Sequence, residues 1–431
     1  MSSLIASFQI LLRKLAVAAT VFSLIGCGLA QVEILVFLRP MQVPMLVISG
    51  CIWAAYSFAC VITDPHRNRI ITSAEGPGGE LVQKATLSAM KSTTSGKADL
   101  EEAEKYFVRG ERAFAAFRYI DGFKSFEAAA AAYPSTAAHL NCAAALMNLS
   151  DFTKAEQILY VGLQMADLEH RRDLQGAFWA NLAIVHNRLG KLEAAMKDCE
   201  QAVSLFQTVS DSRGTADVML TIGNIHANQG NLDDAERAFR NAKKRHELVS
   251  SEIGQANALG NIGNMLMQRD DSLGALDCHQ KALLIQGKIG NPLGKANALS
   301  NIGNVYLRSE NFDEALKAHK TGLALYKKIS AHLGEATALG NIGNVQFKQG
   351  HLKTAFESYS SALEVHGQIG NVLGRANTMT NLGSLLIRMG RREEALRMLL
   401  SAQRLYEATG VQTKGTEAVT ELLVRLDLEG H

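Results

Sequence analysis

From about residue 101 onward, apolar side chains return every three or four positions in stretches of helix length, separated by short polar turns. That spacing is the one-sided stripe of an amphipathic helix, not the strict alternation of a strand. The stripes themselves recur. A tetrad of Asn, Ile or Leu, Gly and Asn stands at Asn261-Ile262-Gly263-Asn264, at Asn301–Asn304 and at Asn341–Asn344, then wears to Asn381-Leu382-Gly383-Ser384. Worn copies lie upstream at Thr221-Ile222-Gly223-Asn224 and Asn181-Leu182-Ala183-Ile184. The period is 40 residues. Self-similarity at a fixed period of this size predicts a solenoid, in which each unit buries its apolar face against its neighbours.

Each unit predicts two helices. In the one beginning near Lys295, helix A covers 296–309, a turn falls at Glu310-Asn311, helix B covers 312–329, and a second loop holds Gly334. Ala155, Ala195, Ala235, Ala275, Ala315, Ala355 and Ala395 form one column. Gly162, Ala202, Ala242, Ala282, Gly322, Ala362 and Ala402 form a second, seven residues later on the same helix face. Small residues so placed let two helix backbones approach closely. Gly190, Gly230, Gly350 and Gly390 fall in the A–B turn, where a left-handed helix cap suits Gly.

Ahead of the array the pattern changes. Residues 15–32 and 41–62 are long uncharged apolar stretches, with Arg13, Lys14, Arg67 and Arg69 on the outer flanks and Arg39 alone between them. Their lengths approach the ~20 residues a membrane span needs, and the basic flanks put both ends on the cytoplasmic side. The expectation is a multi-pass membrane protein: a flank at 1–14, a transmembrane hairpin within 15–63, and repeats facing the cytoplasm. Lipid-bilayer contact runs through 15–62. The rivals are a hairpin buried in a soluble protein and a lipid anchor at Cys27, since Leu24-Ile25-Gly26-Cys27 resembles a lipoprotein cleavage box and would turn the repeats toward the envelope. Residues 64–100 are rich in small polar side chains and predict a flexible linker, with one short helix around Leu81 to Met90.

The columns of 101–410 resemble the tetratricopeptide repeat (TPR) family. Gly110, Gly122, Phe126, Ala129 and Pro134 fit its ordinary unit, and the later 40-residue units look like those of kinesin light chains, the Leu-Gly-Asn-repeat mitotic adaptors and many bacterial arrays. The resemblance implies an all-α fold: a right-handed superhelix of about eight helix-turn-helix units behind the transmembrane hairpin. A C-terminal capping helix falls within 411–431. It also implies a concave groove lined by the A helices.

One stripe of helix A then carries the candidate chemistry. Asn257, Asn261, Asn264 and Gln268 share a face by their spacing, as do Asn297, Asn301, Asn304 and Arg308. The stripe continues in Asn341, Asn344 and Lys348, then in Asn377, Asn381 and Arg388. A primary amide both donates and accepts, so it can pair with a peptide group whatever its side chain. In relatives, Asn at the positions of Asn261 and Asn264 holds extended peptides. The interleaved cations favour carboxylates on such a ligand, so the expected partner is an extended, acidic protein segment. A competing reading makes the same Asn residues structural bonds between helices.

Composition removes other classes. With 44 basic and 42 acidic residues the net charge is +2, which gives no pull toward nucleic acid. Six cysteines show no paired metal-ligand spacing, and no catalytic or phosphate-binding motif is present. His279 and His319 occupy the helix B column of Phe239 and Tyr359 and read as core residues. No enzyme activity, cofactor, metal or small-molecule substrate is expected. The function expected is an interaction scaffold, with an assembly factor for a membrane or envelope complex as the alternative.

Overall fold

The computed structural model describes residues 71–75, 81–85, 98–409 and 414–428. Among these, seventeen helices form an all-α repeat array, joined by one two-stranded sheet. The strands are β1 (Ile71–Glu75) and β2 (Leu81–Ala85), antiparallel, with Ser73 opposite Gln83. The helices form eight A–B pairs: α1 Ala98–Ala115 with α2 Tyr119–Ala132, α3 Thr136–Asn148 with α4 Phe152–Leu168, α5 Arg172–Arg188 with α6 Leu192–Thr208, and α7 Ser212–Asn228 with α8 Leu232–Leu248. The second four are α9 Glu252–Gln268 with α10 Ser272–Lys288, α11 Pro292–Arg308 with α12 Phe312–Lys328, α13 His332–Lys348 with α14 Leu352–Gln368, and α15 Val372–Arg388 with α16 Arg392–Thr409. A last helix, α17 (Lys414–Leu428), packs on α15 and α16.

Every A helix ends the same way. Gly190, Gly230, Gly350 and Gly390 close their A helices with a left-handed backbone, and Ser150, Asp270 and Glu310 adopt it at the same position without glycine's freedom. Several helices begin on a capping side chain, although α5 and α13 do not. Asp211, Asp271 (helix B of its unit), Asn291 and Asn371 each accept a bond from the backbone N–H of a glycine three residues on. Such a cap adds about 1 kcal/mol.

Helix pairs lock through the small columns. The seven Ala residues from Ala155 to Ala395 are fully buried. The tetrad glycine has its own reason. A Cβ at Gly223, Gly263, Gly303 or Gly343 would lie 2.4–2.7 Å from the ring of Phe239, His279, His319 or Tyr359 on the paired helix B. Where that partner is the smaller Cys199, helix A carries Ala183 instead, and both are buried.

The array closes on itself. Phe117, in the α1–α2 turn, packs against the cluster of Ala296, Tyr326 and Ala331, and Thr153 donates a hydrogen bond to the carbonyl of Thr409 at 3.3 Å. Leu373 of α15 packs on the N-terminal core.

Two expectations change. The linker segment at 81–85 is a strand, not the start of a helix. The membrane localisation is corrected: among the described residues no helix is long and apolar enough to cross a membrane. Both expected spans, at 15–32 and 41–62, lie outside the described residues, as does Cys27.

Candidate functional site

Successive A helices touch one another, so they form the inner side of the curve. Because the first units meet the last, the C-terminal part of that inner side becomes a chamber of about 530 Å³. Its wall is made of α9, α11, α13 and α15, and Phe117, Tyr119, Asn148 and Ser150 close it from the opposite side. All ten Asn residues expected to line a groove border it: Asn257, Asn261, Asn264, Asn297, Asn301, Asn304, Asn341, Asn344, Asn377 and Asn381.

They are not equivalent. Tyr326 donates to Oδ1 of Asn297 at 2.6 Å, Tyr406 to Asn377 at 2.6 Å and Tyr359 to Asn344 at 2.7 Å. A tyrosine from helix B therefore fixes each of these amides with its carbonyl inward. Asn381 donates to Oδ1 of Asn344 at 3.3 Å, which links two successive units. The structural reading of the ladder thus holds for part of it. Asn257 and Asn261 are different, because their Nδ2 groups are buried and the protein gives them no acceptor. An unmade bond on a buried amide costs about 1–3 kcal/mol.

The cations do not enter the chamber wall. Arg308 is tied to Asp270 of the preceding unit. Arg388 donates to the carbonyl of Phe347 at 3.0 Å and stacks over its ring. Lys348 is exposed. His279 and His319 are core residues, and burial pushes both imidazoles down to about 4. Both rings meet the tetrad glycines, and His279 also borders the chamber.

The amide chemistry is seen at work in the other half of the array. Asn181 Oδ1 accepts the backbone N–H of Gln83 at 2.8 Å, and its Nδ2 donates to the carbonyl of Gln83 at 2.8 Å. Asn141 does the same for Ala85, at 2.7 and 3.0 Å. Asp217 accepts from the Gln83 side chain at 3.1 Å. Each Asn thus brackets one residue of strand β2 as a neighbouring strand would. Asn141 and Asn181 occupy the column of Asn261, Asn301, Asn341 and Asn381, at steps of the same 40 residues. Sequence reasoning noted Asn181 only as a worn tetrad and missed Asn141 and Asp217. Extending the Asn261 column upstream, whatever the other tetrad letters, would have found both asparagines.

A tetratricopeptide repeat family profile matches residues 174–247, 254–328 and 334–408, together more than half of the chain. No curated protein matches by sequence. The structure is similar to a signal transduction ATPase of the STAND class with a tetratricopeptide repeat sensor from Pyrococcus horikoshii, at 17% identity and TM-score 0.48. That match covers 87% of this chain, and this chain spans 57% of the ATPase. A Rap protein complexed with competence and sporulation factor is similar at 13% identity and TM-score 0.48, covering 76% of this chain and 98% of the Rap chain. BtubC from P. vanneervenii is similar at 13% identity and TM-score 0.42, covering 52% of this chain and 92% of its own.

Proposed function

The chain belongs to the tetratricopeptide repeat family, and from that premise we propose that it is a non-catalytic interaction scaffold whose inner amide column holds an extended segment of a partner protein. The observation that carries this reading is the paired bonding of Asn141 and Asn181 to both backbone groups of β2. The same column continues through Asn261, Asn301, Asn341 and Asn381 along the chamber, where, among the described residues, the amides face no strand. A groove that reads main chain recognises an extended conformation first and side chains second. Acidic character in the ligand ranks below extension, since Arg308 and Arg388 are already engaged and Lys348 is left to attract a carboxylate at the rim.

At about 1 kcal/mol per net hydrogen bond, two bracketing amides account for roughly a tenfold or greater change in affinity. Selection of a displayed random-peptide library on the full-length chain tests this. Extended binders should bind Asn301→Ala/Asn341→Ala at least about tenfold more weakly, with the melting temperature unchanged. Binders that ignore the substitution, or a variant that unfolds, would make the column structural.

A further inference from the structure

We propose that the strip formed by Asn141, Asn181 and Asp217 is a docking surface for a partner strand, and that the chain's own segment Leu81–Ala85 occupies it until such a strand displaces it. The proposal rests on the peptide-binding reading of the amide column and adds a site, a recognition rule and a competitor.

The occupant is held as a ligand is held. Asn181 takes both main-chain groups of Gln83, and Asn141 takes both of Ala85, from 98 and 56 residues away. One repeat therefore advances the strand by two residues. The strand runs toward the first repeats, since the later residue, Ala85, meets the earlier amide. Alternate main-chain groups point to opposite edges of a strand, so those of Gln83 and Ala85 face the asparagines while Val82 and Lys84 face β1. The helices supply one neighbouring strand's worth of hydrogen bonds, and β1 supplies the other.

Side chains set the rule. Val82 and Ala85 are fully buried in the N-terminal core, and Leu81 packs into the next cluster along the array. Gln83 donates to Asp217 at 3.1 Å. A matching partner strand has two apolar residues, then a side-chain donor, then a cation that can lie over Phe114 beside Glu111, then Ala or another small residue. A residue larger than Ala at the last position has no room, and an acid at the third meets the Asp217 carboxylate.

The strip is built as part of the open column, yet it is filled by a short strand whose segment lies outside the helical array. A tethered occupant acts at an effective concentration in the millimolar range. It therefore hides this part of the groove from weak partners and yields only to strands that bind better or that also engage the chamber.

The test uses the full-length chain and a fluorescein-labelled peptide of residues 78–88, Gly78 to Ser88, read by fluorescence anisotropy. Gln83→Pro removes the N–H given to Asn181 without touching the face toward β1. Ala85→Lys evicts the strand by size. In either variant the free peptide should bind about tenfold or more tightly than in the native chain, and adding Asn141→Ala/Asn181→Ala should abolish that gain. Equal binding by native and evicted chains would overturn the competition. Absence of binding to both evicted chains, with helicity intact, would overturn the docking surface while leaving the chamber reading to its own test with Asn301 and Asn341. A peptide-dissociable dimer of the native chain would also overturn it, by making β2 an element exchanged between two copies.

Discussion

The two halves of the array share one repeat and use their interiors in opposite ways. From α1 to α7 a single continuous core runs through Phe107, Phe126, Phe178 and Phe206, and strand β2 is sealed into it through Val82 and Ala85. From α9 to α16 the core breaks into small clusters. Its helix B positions hold His279, His319 and His366 along with tyrosines. The inner face there is lined by amides and encloses a cavity. The lesson is that the small columns and turns, common to both halves, carry the architecture. The large helix B residue facing each glycine is then free to be apolar, where the groove is filled, or polar, where tyrosine hydroxyls orient groove amides.

Acidification should break the comparison most strongly. Burial pushes His246, His279, His319 and His366 down to about 4. Unfolding releases them to the ordinary value near 6.5, so the unfolded state binds more protons between those values and stability falls with pH through that window. Each group accounts for on the order of 3 kcal/mol if no relaxation occurs. In the N-terminal half, His186 goes the other way. Burial lowers it, but the Asp198 and Glu156 carboxylates, at 2.5 and 2.9 Å, more than reverse this and leave it raised. Its contribution is full below the unfolded value and is lost as pH rises through the raised one. Hydrogen exchange corrected for intrinsic rates, followed from pH 7 to 4.5, should show α9 to α15 losing protection while α5 and α6 keep theirs. Uniform loss in both halves would end the distinction.

A smaller effect sharpens it. Gly303→Ala would put a Cβ 2.6 Å from the His319 ring and should cost about 1–3 kcal/mol by overpacking. Gly340→Ala meets nothing within 4 Å and should stabilise α13 by about 0.5–1 kcal/mol through helix propensity. Denaturant midpoints at constant slope decide both. A change of similar size is Glu310→Gly, which relieves a left-handed backbone at φ 58° and should add about 1 kcal/mol.

Much of this was legible because solenoid physics is local. Columns such as Ala155 to Ala395 repeat where backbones touch, so the period alone places eight helix pairs and their turns. Helix α11 begins at Pro292, four residues before the sequence reading of 296, because the Asn291 cap and the proline after it mark the start more sharply than the apolar stripe does. The site was half legible. Spacing put the asparagines on one inner face, but spacing says nothing of Tyr326, Tyr359 and Tyr406, whose hydroxyls turn three of those amides into fixed fittings. Strand β2 was illegible for a different reason. Five residues carry too little pattern, and what holds them straight is asparagine side chains 56 and 98 residues away.

The contact of Phe117 with the Tyr326 cluster, and of Thr153 with Thr409, bears on how such a protein can evolve. An open solenoid tolerates gain or loss of a unit, because each new copy only lengthens it. Here the first and last units are neighbours, so a ninth copy would wedge the seam apart and a seventh would leave it gaping. Duplication, the process that wrote this sequence, is thereby brought to a halt at a fixed copy number.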